Sequence, residues 1–207
     1  MSASFDGPSL NDFVGSAQIF ISAVNDLMEE QLRSVADGAV TFSQLKLLKM
    51  VSLTEDYSVS HVAQFLGVSA AAASRAVDRL VRRGFVNRTP AEDDRRAVRL
   101  SLTDAGADLL WKYDRAASRA LEQVFGDLEG DQIRQVGQLL DRLSVNIVDR
   151  ANGSDEVCLR CGIHVRDRCL LRQRRSRSCF FNLHECRRPD GTSGHPHSEP
   201  GRSPRSP

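Results

Sequence analysis

The arrangement of glycines and apolar residues between positions 58 and 106 restricts the fold more than any other feature of the chain. Two short segments carry apolar residues at helical spacing, and each is followed by a glycine, Gly67 and Gly84. Two shorter segments with a strand-like pattern, residues 85–88 and 97–102, then enclose a charged tip. The pattern predicts two helices joined by a tight turn and followed by a β-hairpin, which is a winged helix-turn-helix.

Long amphipathic helices are predicted on both sides of this module. Apolar residues recur at helical spacing from residue 10 to about 35, and similar patterns run from 103 or 104 to about 125 and from 131 to about 150. Nothing else in the chain is large enough to cover the last two helices, so we expect a dimer interface there. The predicted fold is mostly α, with long N- and C-terminal dimerisation helices and a small β-hairpin wing. Trp111 lies on one of these helices and is expected in the core.

The second helix of the module is predicted to have one apolar and one polar face. Ser69 is expected to cap this helix, and small residues near its start would let the backbone approach a DNA groove. Arg75 is long enough to reach guanine O6 and N7 in the major groove, and arginines at the hairpin tip suit a narrow minor groove. The residues predicted to contact DNA are Ser69, Ala71, Ser74, Arg75 and Arg79 on the helix, with Arg95 and Arg96 at the tip.

The charge distribution limits where DNA could bind. Residues 151–207 contain eleven arginines, no lysine and six acidic residues, which leaves the first 150 residues at −4 within a total of +1. A DNA-binding module in that acidic part must concentrate its positive charge locally. A basic helix face by itself is usually only a solvated surface, but the order helix, turn, helix, hairpin favours DNA binding here.

Residues from about 10 to 150 resemble the MarR family of winged-helix transcriptional regulators. The most specific match is DRLVRRGFVNRTPAEDDRRAVRLSLTDAG, and TFSQLKLLKMV and SVSHVAQFLGVS support it. The resemblance implies an obligate homodimer on a pseudo-palindromic operator in double-stranded DNA, usually a repressor relieved by a small-molecule effector or by oxidation. By position, Asp94 with Arg95 or Arg96 corresponds to the family's wing motif.

All five cysteines lie in a C-terminal extension outside this resemblance. Cys158, Cys161, Cys169 and Cys179 fall within 22 residues, a density that suits tetrahedral zinc or an iron–sulfur cluster. A regular second Cys or His pair is missing, and the surrounding arginines would offset cluster charge, so iron–sulfur is favoured over zinc. Metal-free thiols, as a disulfide switch or an inert tail, are the third alternative. Cys186 or a histidine would be the substitute ligand.

The composition divides the chain into four predicted regions. These are a flexible N-terminus (1–9), a DNA-binding and dimerisation domain (10–150), a Cys- and Arg-rich candidate metal-binding tail (151–188) and a disordered end (189–207). No apolar run approaches the roughly 20 residues that span a bilayer, and the N-terminus lacks the features of a secretory signal. The sequence therefore predicts a cytoplasmic protein without a membrane partner.

Three functional hypotheses follow from these patterns. The first is a dimeric transcription factor whose tail senses redox state, a metal or a gas through a bound centre. The second keeps DNA binding, makes the tail a structural zinc clip, and adds a small organic effector between the helices. The third is a thiol-redox or metal-handling protein that uses the winged helix to bind proteins. No paired-carboxylate, Ser/His or glycine-rich phosphate motif is present, so we expect no catalytic residues.

Overall fold

The computed structural model describes residues 7–53, 58–90, 98–151, 158, 161, 163, 164, 169–174, 179 and 180. Within these residues the chain forms seven helices and a two-stranded sheet. The elements are α1 (Gly7–Ala36), α2 (Phe42–Leu53), α3 (Val59–Leu66), α4 (Ala70–Arg82), β1 (Val86–Pro90), β2 (Val98–Leu102), α5 (Asp104–Phe125), α6 (Gly130–Ala151) and α7 (Leu170–Arg174). The predicted fold class, mostly helical with a small hairpin wing, is confirmed.

Capping side chains set the ends of the helices in the module. Ser58 accepts from the backbone N–H of His61, while the His61 ring accepts from the backbone N–H of Ser58 at 3.2 Å, so α3 begins with a reciprocal capping box. Gly67 ends α3 with φ +64°, the left-handed conformation that glycine adopts at least cost. Thr103 caps α5 by accepting from the N–H of Gly106 at 3.0 Å. The caps at Ser58 and Gly67 help to stabilise α3, which has only eight residues.

The hairpin is antiparallel and pairs Val86 with Leu102 and Pro90 with Val98. Its first strand therefore extends to Pro90, two residues further than the sequence pattern predicted. The predicted tip residues Arg95 and Arg96 lie outside the described part of the chain, as do Cys186 and every residue after 180.

One continuous core joins the helix-turn-helix, the hairpin and the C-terminal half of α1. The fully buried side chains of α4 are Ala73, Val77 and Leu80, which pack with those of α2 and with Leu100 of β2. Three tail residues, Ile163, Cys179 and Phe180, belong to the same core. The described tail residues are thus packed onto the body of the protein.

The terminal helices carry apolar side chains that this core does not cover. They include Phe13, Ile19 and Phe20 on α1 and Ile133, Val136, Leu139, Leu140 and Ile147 on α6. Trp111 was expected in the core, but it is 57% exposed, and the Arg115 guanidinium lies 4.7 Å from its ring centre. Burial within a single chain therefore does not account for Trp111. In the described residues, no helix combines the length and apolar character needed to cross a membrane.

Gly106 gives a test of how α5 seats against the module. A Cβ added at this position would lie 2.2 Å from the backbone oxygen of Phe85. Because backbone cannot yield as a flexible side chain does, we expect Gly106→Ala to lower the free energy of unfolding by about 1–3 kcal/mol. Urea denaturation followed by circular dichroism measures the change.

The matched control is Gly15→Ala on α1, where an added Cβ meets nothing within 4 Å. Without a clash, this substitution removes only glycine's helix penalty and is expected to stabilise by up to about 1 kcal/mol. Equal stability changes in the two variants would contradict a tight seat at Gly106.

Candidate nucleic-acid interface and cysteine cluster

Ser69 fixes the start of α4. Its hydroxyl accepts from the backbone N–H of Ala72 at 3.3 Å. The other amide groups of the first turn have no partner within the helix, and together with the helix dipole they leave this end of α4 electropositive. The end suits a phosphate group, which agrees with Ser69 as a residue predicted to contact DNA.

Three of the predicted contact residues form a single row along α4. Ala71, Arg75 and Arg79 are four positions apart, and all three are exposed. Ser74 lies beside this row and is half-buried. The opposite face of the same helix is fully buried in the core. The result is an outward surface with a small residue near its start and two guanidinium groups beyond it.

Two arginines near this row are already engaged within the protein. Arg88 of β1 donates to the carboxylate of Asp78 at 2.9 Å, which ties the wing to α4. Arg83 donates to the backbone oxygen of Ala39, at the turn between α1 and α2. The sequence did not reveal these links, because each depends on how two separate elements pack against each other. They leave Arg75 and Arg79 as the guanidinium groups of the outward row.

The Asp78–Arg88 ion pair orients the wing more than it stabilises the fold. The two side chains are 45% and 37% exposed, and an exposed pair contributes only about 0–1 kcal/mol. The placement of Arg95 and Arg96 at the hairpin tip stays a prediction, since both lie outside the described residues.

The four predicted metal ligands come together in the tail. Cys158 and Cys179 are partners in a parallel β-bridge, and the N–H of Phe180 donates to the backbone oxygen of Cys158 at 3.2 Å. Burial raises the pKa of Cys161 to about 11, and the neighbouring Cys179, Cys169 and Cys158 raise it in the same direction. All three other thiols are therefore close enough to oppose a thiolate at Cys161. A cation among them would reverse that opposition.

The present side-chain arrangement is not a finished metal site. Within the described part of the chain, no three His, Cys, Asp or Glu side chains are placed to hold one ion together. The four thiols would have to turn toward a common point to act as ligands. These four described cysteines form no disulfide with one another.

The cysteine cluster rests on the winged-helix body. Phe180 is fully buried, and its ring centre lies 5.6 Å from that of Phe65 on α3. The pKa of His164 is lowered, chiefly by desolvation. The positive charges of Lys49 and Lys46 lower the pKa further, whereas the negative charge of Asp114 raises it. Since these charges belong to α2 and α5, His164 lies over those two helices. The short helix α7, which directly follows Cys169, packs against α6.

Phe65 and Phe180 are the two residues that sequence reasoning overlooked. Helical spacing in α3 predicts a buried face of Val59, Val62, Ala63 and Leu66. That face omits Phe65, which is only 9% exposed. A signal for the other residue was present, because two phenylalanines follow Cys179 in an otherwise arginine-rich segment. Such apolar residues in a charged segment indicate a docking point.

The described fold and the outward row on α4 define a winged helix-turn-helix protein. Residues 40–98 match the model of the MarR family. Residues 40–98 are thus similar to the MarR family, the resemblance that the sequence motifs indicated. The cysteine cluster lies outside the matched residues.

Solved structures share this fold. The chain is similar to the YusO protein of Bacillus subtilis, at 23% identity and a TM-score of 0.56 over 68% of this chain and 98% of that one. RV1404 of Mycobacterium tuberculosis matches with 20% identity and a TM-score of 0.59, covering 74% and 99%. A mutant MarR of E. coli complexed with operator DNA matches with 24% identity and a TM-score of 0.50, covering 64% and 96%. At these identities the likeness establishes the fold.

Proposed function

We propose that this protein is a cytoplasmic transcriptional repressor that binds a pseudo-palindromic operator as a homodimer. The observation that carries the proposal is the row of Ala71, Arg75 and Arg79 on the exposed face of a helix whose other face is locked in the core. The small residue allows close approach to a groove, Arg75 reads guanine, and Arg79 contacts a phosphate. Arg95 and Arg96 at the wing tip would enter the flanking minor groove.

The dimer is proposed from the apolar surface of the terminal helices. Large apolar side chains on α1 and α6 are exposed in the single chain, and Trp111 and Leu128 on and after α5 add to them. An exposed apolar surface of this extent normally marks an interface. A second copy of the chain would cover these faces and place two α4 helices on two half-sites, as the palindromic operator requires.

The tail is proposed to hold a metal centre through Cys158, Cys161, Cys169 and Cys179. Four thiols that interact electrostatically in a segment with few apolar residues are the support for this assignment. Iron–sulfur is the preferred centre, because the surrounding arginines would balance its negative charge, and zinc is the alternative. Through this centre the repressor would respond to redox state or metal supply.

One observation favours the alternative in which a small organic effector controls the protein. A cleft of about 540 Å³ lies between α1 and α5, lined by Ser34, Val35, Trp111, Lys112, Arg115, Ala116 and Arg119. The positive charges of Lys112, Arg115 and Arg119 suit a small anionic molecule, and the exposed Trp111 ring offers it an apolar surface. In this alternative the cysteines would hold zinc with a structural role only.

Arg75→Ala tests the DNA-reading row. We expect a loss of about 1–3 kcal/mol on a duplex selected from a random library by the wild-type protein, with a much smaller loss on unselected DNA. Anisotropy titrations at several salt concentrations measure both affinities.

Arg33→Ala on α1 removes the same charge from an exposed position outside the row and is expected to leave both affinities within about twofold, the usual range for an exposed side chain. If Arg75→Ala lost equal affinity on selected and unselected DNA, the arginine would contact phosphate only. If it lost none on either, the proposed interface would be wrong.

Metal content tests the centre directly. Protein purified without oxygen is expected to contain iron with acid-labile sulfide and to absorb near roughly 400 nm, where thiolate-bound clusters absorb. Cys161→Ser should lose the metal because it removes a proposed ligand, whereas Cys186→Ser should keep it. Colourless protein with one zinc per chain would favour the structural alternative, and protein without any metal would contradict the centre.

A further inference from the structure

The contact between Phe65 and Phe180 joins the cysteine cluster to the helix-turn-helix. Phe180 follows Cys179 directly in the chain, and both residues are buried in the common core. The ring of Phe180 meets that of Phe65, which lies on α3, the helix immediately before α4. A movement of Cys179 toward a metal must therefore be transmitted to Phe180, and from there to α3.

The position of α3 in turn affects α4. The two helices are joined by only Gly67, Val68 and Ser69, and the backbone N–H groups of Gly67 and Val68 close the end of α3 by donating to Gln64 and Ala63. Val62 on α3 and Ala73 on α4 are both fully buried in the same core. Packed helices with so short a connection move together, so a change at Phe65 reaches the row that carries Arg75.

Besides the packing of α7 on α6, a few buried side chains hold the described part of the tail. Among its described residues, Ile163, Cys179 and Phe180 are the buried ones. A segment with so small an apolar surface gains order chiefly from its ligands when a metal binds. The bound metal would hold Cys179 in place and with it the neighbouring phenylalanine.

We infer that the four-cysteine centre is coupled energetically to α3 through the contact between Phe180 and Phe65. Metal in the centre stabilises the docked tail and the helix-turn-helix together, and loss of the metal releases Phe180 and loosens α3. The inference rests on the proposed function, which supplies the metal and the DNA. It adds a route by which the centre would control DNA affinity, through α3 and its short connection to α4.

Coupling of this kind is reciprocal. If metal binding stabilises the Phe65–Phe180 contact by a given factor, then losing that contact must lower the metal affinity by the same factor. A substitution on α3 that weakens the contact should therefore weaken metal binding. The test therefore measures zinc affinity of the full-length, reduced protein by competition with a chromophoric chelator. Phe65→Leu is the test variant, because it keeps an apolar side chain on α3 and leaves every cysteine unchanged.

We expect Phe65→Leu to weaken zinc binding at least about fivefold, the lower end of measured coupling between sites. The matched control is Phe125→Leu, which alters a phenylalanine pair between α5 and α1 with ring centres 6.4 Å apart. That pair lies outside the proposed route, so zinc affinity should stay unchanged. Helical content measured by circular dichroism identifies variants that have failed to fold.

Hydrogen exchange on the wild-type protein and on Phe180→Ala provides the second measurement. Zinc is expected to slow exchange of the α3 amides in the wild type and to have no such effect in Phe180→Ala, even when that variant is saturated with zinc. Unchanged zinc affinity in Phe65→Leu, or zinc-dependent protection of α3 in Phe180→Ala, would overturn the inference and leave the proposed centre intact. A wild-type protein that binds neither zinc nor iron would overturn the centre itself, and the coupling with it.

Discussion

The buried stripe of α4 is the constraint on which the rest of the molecule depends. Ala73, Val77 and Leu80 are fully buried, so the helix can rotate neither way without exposing apolar surface. Their burial fixes which side chains point outward, and these are Ala71, Arg75 and Arg79. The hairpin and the turn after α1 add polar ties to the same helix through Asp78 and Arg83. A rigid inner face thus produces a defined outer face, which a helix that reads DNA needs.

The tail extends this core instead of standing apart from it. Phe180 fills a place beside Phe65, and His164 lies within the field of charges on α2 and α5. A chemical event among the cysteines would therefore occur beside the helix-turn-helix. In a tightly packed interior a small displacement is passed on to its neighbours, because close packing leaves little room to absorb it. The contact between Phe65 and Phe180 thus gives the cysteine cluster a short physical connection to α3 and, through it, to α4.

The sequence predicted features that depend on local patterns. Ser69 as a cap, Gly67 in the left-handed conformation and the inner stripe of α4 each follow from residues a few positions apart, and the structure contains all three. Contacts between separate elements were not predictable. The pairing of Asp78 with Arg88, the link from Arg83 to Ala39 and the docking of Phe180 on Phe65 depend on how complete elements pack. The prediction that Trp111 lies in the core was wrong for a related reason. An apolar side chain on a helix indicates a buried surface, but the sequence does not say which element or chain covers that surface.

The most direct test of the account is the DNA affinity of one preparation of the full-length protein in two states. Anaerobic protein with its metal centre loaded would be titrated onto a selected duplex, and the titration would be repeated after the metal has been removed by a chelator. The account predicts that affinity falls at least about tenfold when the metal is removed, which corresponds to roughly 1.4 kcal/mol. Equal affinity in the two states, with metal removal verified, would contradict control of DNA binding by the cysteine centre.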